Sequence, residues 1–237
     1  MVLSPEHLEV VAHSLTAVLG VWLGLTVLTR VRTPLARVFA FLSLTLVVWS
    51  GSIIVQRLST STDAIAVAHA IEELTTALIV PALAHLSLEI ATEGRPSKGQ
   101  IRLLAVAYAF NLLWALPGVF DVAAPIAIGP PQLSIGPIPG AALGWARLAT
   151  RLATLALGLA WLFDAYRRTR TTDPRRRQLT VTAIAVAIGT IGGVIRLLSE
   201  ITQSDPWIGL SLVTLAMVVS ASVVFSPGFF FPPEVAG

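Results

Sequence analysis

Four pairs of ionisable residues stand four apart in otherwise apolar sequence: Glu9/His13, His69/Glu73, Arg147/Arg151 and Arg196/Glu200. Side chains at i and i+4 project from one side of a helix, one turn apart. With Glu72 beside the second pair, the set brings carboxylates, imidazoles and guanidiniums to one level of a helical assembly. Arg147, Arg151 and Arg196 could hold a small polar or anionic ligand through charge-assisted hydrogen bonds, with Glu72, Glu73 and Glu200 lining the same pocket. A second chemistry uses Glu9, His13, His69 and Glu72, whose spacing suits a metal ion inside a bundle; His13 and His69 could instead ligate a haem iron from its two faces. A third reading needs no ligand. Glu72 lies about 25 Å along a helix from Glu89, which puts it near a headgroup boundary, where long arginines snorkel and opposite charges form structural pairs. All three readings stand at this point.

The elements that carry these residues follow from hydropathy. The chain has 237 residues, 55% of them hydrophobic and 12% charged, and its mean hydropathy is +0.80, so most of its surface must face lipid. A helix needs about 20 apolar residues to cross a hydrocarbon core. The runs that qualify are 8–29, 38–56, 64–90, 103–119, 142–165, 179–201 and 208–225. They lack the period-2 alternation of barrel strands, so the expected fold is all-α, a single seven-helix integral-membrane bundle over 1–237. Gly20 and Gly24, and Gly189 and Gly193, have the spacing that lets membrane helices approach closely. Pro81 falls inside the third span. The longest connection, from about Pro117 to Gly140, contains PIAIGPPQLSIGPIPG, which is read either as a hairpin over the bundle mouth or as an irregular surface loop.

Basic residues set the expected orientation. Arg30, Arg32 and Arg37 lie in the first gap, Arg95, Lys98 and Arg102 in the third, and Arg167, Arg168, Arg170, Arg175, Arg176 and Arg177 in the fifth, while the even gaps hold only Arg57. The positive-inside bias then puts the N-terminus outside, the C-terminus in the cytoplasm, and the Pro117–Gly140 loop outside. The four ionisable pairs all fall in the outer half; His85 and Glu89 sit apart at the inner boundary. Membrane lipid is the expected partner of the arginine clusters, rather than nucleic acid. Trp145 and Trp207 read as interfacial anchors, and the FFFPP run as an inner boundary.

Several classes fall away. The absence of cysteine removes disulfides, thiolate metal sites and a cysteine nucleophile. The single lysine, Lys98, lies in a connection and not in the seventh span, so a retinal Schiff base there is excluded. No phosphate-binding glycine loop, nucleophile elbow or HExxH motif occurs, so an enzyme is not the expectation. Polar groups confined to one level also argue against a continuous transport path. MVLSPEHLEV has no basic n-region, so the first span is expected to be retained.

Two stretches carry a family resemblance. RVRTPLARVFAFLSLTLVVW at 30–49 and PALAHLSLEIATEGRP at 81–96, together with the long loop before the fifth span and the arginine-rich fifth gap, resemble the N-terminal seven-helix region of bacterial membrane sensor histidine kinases. The resemblance implies a bacterial inner-membrane sensor whose input site faces outward and whose output reaches a cytoplasmic signalling partner. It transfers no binding residue. The C-terminal FSPGFFFPPEVAG departs from that plan: no phosphoacceptor helix or ATP-binding domain follows, so this chain is not expected to be a kinase by itself.

Overall fold

The computed structural model describes residues 5–120, 139–171 and 173–202. Among them are six α-helices: α1 (Pro5–Arg30), α2 (Pro34–Leu58), α3 (Thr62–Thr92), α4 (Lys98–Phe120), α5 (Pro139–Arg168) and α6 (Pro174–Thr202). Five are long and apolar enough to cross a membrane, and α6 has a shorter apolar run, Leu179–Gly192. The architecture is a membrane helical bundle. The seventh span expected at 208–225, the hairpin within 121–138, Trp207 and the FFFPP run lie outside the described residues.

Each helix outruns its apolar window. Arg37, Lys98, Arg102, Arg167, Arg168, Arg175, Arg176 and Arg177, placed in connections by hydropathy, belong to helical turns. An apolar window measures only what fits the hydrocarbon; beyond it water and headgroups satisfy the charged side chains while the backbone ladder continues. At 31 residues, α3 is about 46 Å long and exceeds a core of about 30 Å.

Local chemistry fixes the ends. Pro34 occupies the first turn of α2, where its missing N–H costs nothing, and the Thr33 side chain caps that turn by accepting from the Ala36 N–H at 3.2 Å. α3 ends with Glu93 and Gly94 at φ 55° and 73°, and the Gly94 N–H donates to the Glu89 carbonyl at 3.0 Å. That left-handed closure favours glycine. Inside the spans, the hydroxyls of Thr16, Thr45, Thr75, Ser87 and Thr154 donate to carbonyls one turn earlier. Lipid offers these groups no alternative partner.

The centre of the bundle is α3, which packs against α2, α4, α5 and α6, while α1 packs on α2. Leu23 and Val27 of α1, Phe39, Leu46 and Trp49 of α2, Leu86 of α3, Leu162 of α5 and Leu179 of α6 belong to one buried apolar cluster. It lies mostly toward the arginine-rich end. On the opposite side of α1, Val11, Leu15, Val18, Trp22 and Leu25 are exposed at alternating spacings of four and three, a lipid-facing stripe.

Close approaches depend on small residues. A Cβ on Gly24 would stand 3.3 Å from the Ser43 Cβ, which places Gly24 of the expected Gly20/Gly24 pair at the α1–α2 crossing. The tightest approach was not anticipated: a Cβ on Gly158 of α5 would stand 3.0 Å from the Ala84 Cα and 3.3 Å from the Ser87 Oγ of α3. Gly158→Ala should therefore force α3 and α5 apart and lower stability in detergent by about 1–3 kcal/mol, as overpacking does. Gly51→Ala, with nothing within 4 Å of the new Cβ, should leave the melting temperature unchanged or raise it. Equal melting temperatures for Gly158→Ala and the unaltered protein would contradict this packing.

Candidate functional site

The polar residues at the α1 N-terminal end of the bundle come from five helices, and most are joined across helix boundaries. Glu9 on α1 is buried and pairs with Arg57 on α2, Nε to Oε2 at 2.9 Å and a second contact, Nη2 to Oε1, at 3.4 Å. Next on α2, Gln56 donates from Nε2 to Glu72 Oε2 on α3 at 2.9 Å. Glu73, the neighbour of Glu72, pairs with Arg147 Nη1 on α5 at 3.4 Å. The same guanidinium donates from Nε to the backbone carbonyl of Trp114 on α4 at 2.7 Å.

Arg147 is the side chain that gathers α3, α4 and α5. Its side chain is 12% exposed and that of Glu73 15%, so both charges are largely withdrawn from solvent and depend on each other. Below this contact, Asn111 of α4, 4% exposed, donates from Nδ2 to the Thr154 Oγ1 of α5 at 3.1 Å. Arg147, Arg151, Thr154 and Gly158 therefore form one stripe of α5. Its members at 147 and 154 touch α4, its members at 147 and 158 touch α3, and Arg151 between them is buried.

The remaining expected residues divide as follows. His13 is fully buried, with Nδ1 3.4 Å from the Ser50 Oγ and its ring edge-on to Trp49 at 5.0 Å between centroids. His69 lies 3.8 Å from Glu72 within α3. Of the expected ligands of a metal or haem, Glu9 and Glu72 have partners on α2 and His13 lies beside Ser50 of α2, while His69 and Glu72 stand next to each other. Among the described residues, no group of three or more His, Cys, Asp or Glu side chains is gathered as a metal site requires. Arg196 and Glu200 occupy the last turns of α6, and their side chains lie outside the described set. At the other end, His85 Nε2 is 3.6 Å from Glu89 Oε1 and its ring meets Tyr108 edge-on. That pair is separate from the Glu9 end, as expected.

Five participants were missed by sequence reasoning. Arg57 stood alone in its gap and Gln56 is neutral, so neither announced that it would face a carboxylate. The Trp114 carbonyl and the Asn111–Thr154 bond carry no charge signal. One clue was available: Asn111 is a strongly polar amide within an apolar span, where such a group needs a partner on another helix.

If Arg147 is the tie described, Arg147→Gln should cost about 2–5 kcal/mol by leaving Glu73 without its cation, and adding Glu73→Gln should recover part of that loss. Arg168→Gln, which breaks a pair whose side chains are 78% and 57% exposed, should fall within about 1 kcal/mol of the unaltered protein. Chemical unfolding in mild detergent reads both. Additive losses in the Arg147/Glu73 double variant would contradict the pairing.

Comparison with known families bears on what such a bundle is for. A family model described as the N-terminal 7TM region of histidine kinase matches residues 12–230. No curated protein matches the chain. The match reaches all six helices and agrees with the resemblance in 30–49 and 81–96. With the apolar helices, it makes this an integral membrane protein of the bacterial inner membrane and a sensor-type domain. The chain belongs to the family of N-terminal seven-transmembrane regions of histidine kinases.

Proposed function

We propose that this chain is a single seven-span input domain that binds a small polar or anionic ligand in its outer half and passes a change in helix packing to a cytoplasmic signalling partner. The Glu9 end faces outward and the C-terminus lies in the cytoplasm. The ligand site is built on Arg147 and Arg151, with Glu72 and Glu73 from α3 and Arg196 and Glu200 from α6.

The observation that carries this reading is the position of Arg147. A guanidinium that holds both a carboxylate on α3 and a carbonyl on α4 is a tie between three helices that an incoming anion can compete for. Replacing one acceptor by another alters how α3, α4 and α5 sit together without unfolding them, and a ligand that prefers the altered packing shifts the population toward it. The orientation is supported by Arg30, Arg32, Arg37, Arg95, Lys98, Arg102 and the arginines from 167 to 177, which occupy the end opposite Glu9.

Because the chain has no cysteine, single cysteines can report topology in intact cells. A membrane-impermeant maleimide should label Thr60→Cys, in the α2–α3 connection, and spare Ser97→Cys, in the α3–α4 connection; both positions are exposed. The reverse pattern would overturn the orientation. For the ligand, small polar and anionic compounds should be screened for thermal stabilisation of the purified protein. Compounds that raise the melting temperature should lose that effect when Arg147 and Arg151 are both changed to Gln; stabilisation that persists would remove these arginines from the site.

A further inference from the structure

Among the described residues, one buried donor on α4 has no partner in the protein. The indole Nε1 of Trp114 is buried and has no hydrogen-bond partner among the described residues, although a buried indole N–H ordinarily finds one. Its burial separates it from an interfacial tryptophan, whose N–H reaches headgroup oxygens from the surface. The carbonyl of the same residue is held by Arg147 at 2.7 Å, so the position of α4 at this turn is fixed relative to α5. One turn below, the Asn111–Thr154 bond at 3.1 Å fixes it again. The turn of α4 that carries the orphaned N–H is therefore fixed on α5 at Trp114 and again at Asn111.

We propose that Trp114 Nε1–H is a ligand-binding donor, and that the group it receives is a carboxylate oxygen of a small organic acid. The two guanidiniums on the α5 stripe facing this turn argue for a carboxylate over a neutral carbonyl. The side chains nearest in sequence register on the facing α5 stripe are Arg147 and the buried Arg151, and planar guanidiniums match carboxylates. A carboxylate has two oxygens: one accepts from the indole while the other takes a guanidinium N–H. This binding would draw Arg147 from Glu73 and so alter the α3–α5 contact. The inference rests on the input-domain reading above and adds a residue on α4 together with a class of ligand.

The test is fluorine NMR of the whole protein labelled with 5-fluorotryptophan in lipid nanodiscs, with the Trp114 line assigned by its loss in Trp114→Phe. Acetate and succinate are titrated against chloride at equal ionic strength, and melting temperatures are measured on the same samples. The expected result is a saturable shift of the Trp114 line with at least one of the two carboxylates and none with chloride. Trp114→Phe, which keeps an aromatic ring and removes the N–H, should weaken the carboxylate's stabilising effect about tenfold in concentration. A Trp114 line that moves with neither carboxylate, or equally with chloride, overturns the proposal. If the carboxylates still stabilise the protein through Arg147 and Arg151, only the role of Trp114 falls. If they do not stabilise it at all, acetate and succinate are excluded as the input as well.

Discussion

A guanidinium packed among membrane helices and withdrawn from headgroups must find partners within the protein, because hydrocarbon supplies none. Arg147 donates to a backbone carbonyl on α4 at 2.7 Å and pairs by charge with a carboxylate on α3 at 3.4 Å. Neither contact could be given up without leaving a charge or a donor stranded in a poorly solvated place. The arrangement of three helices at the Glu9 end therefore follows from one side chain. Glu9 with Arg57, and Gln56 with Glu72, extend the same logic to α1 and α2.

The two ends of the bundle are held by different physics. Toward the arginine-rich end, the buried cluster of Leu23, Val27, Phe39, Leu86, Leu162 and Leu179 is apolar, and the Gly158–Ala84 approach brings α3 and α5 nearly into backbone contact. Such packing has few alternatives of similar energy. At the Glu9 end, hydrogen bonds and ion pairs between long side chains can be exchanged for others with little change in buried volume. A bundle whose helices are exchangeably paired at one end and rigidly packed at the other is suited to relaying a local change along rigid rods.

Much of the fold could be read from the chain because lipid imposes a simple rule: runs such as 38–56 must be helical and must span. The same rule hid the helix ends, since the turns bearing Arg37, Lys98 and the arginines after 166 lie outside the hydrocarbon and carry no hydropathy signal. The i,i+4 spacing put Arg147 and Arg151 on one face, because helical geometry is local. It could not show that Glu73 is the partner of Arg147, that Arg57 returns to Glu9, or that a backbone carbonyl at 114 is an acceptor. Those pairings depend on how helices distant in sequence rotate about their axes. Gly158 was silent for the same reason, its partners Ala84 and Ser87 lying on another helix.

The central claim is that Arg147 ties the Glu9 end of α3, α4 and α5, while apolar packing holds the other end without it. The most direct measurement compares spin-label distances between α4 and α5 at both ends in nanodiscs, using the exposed pairs Leu113/Ala149 and Leu103/Phe163, with and without Arg147→Ala. A broadened or displaced distribution for Leu113/Ala149 beside an unchanged one for Leu103/Phe163 is the predicted result. No change at the Glu9 end, or an equal change at both ends, would contradict it.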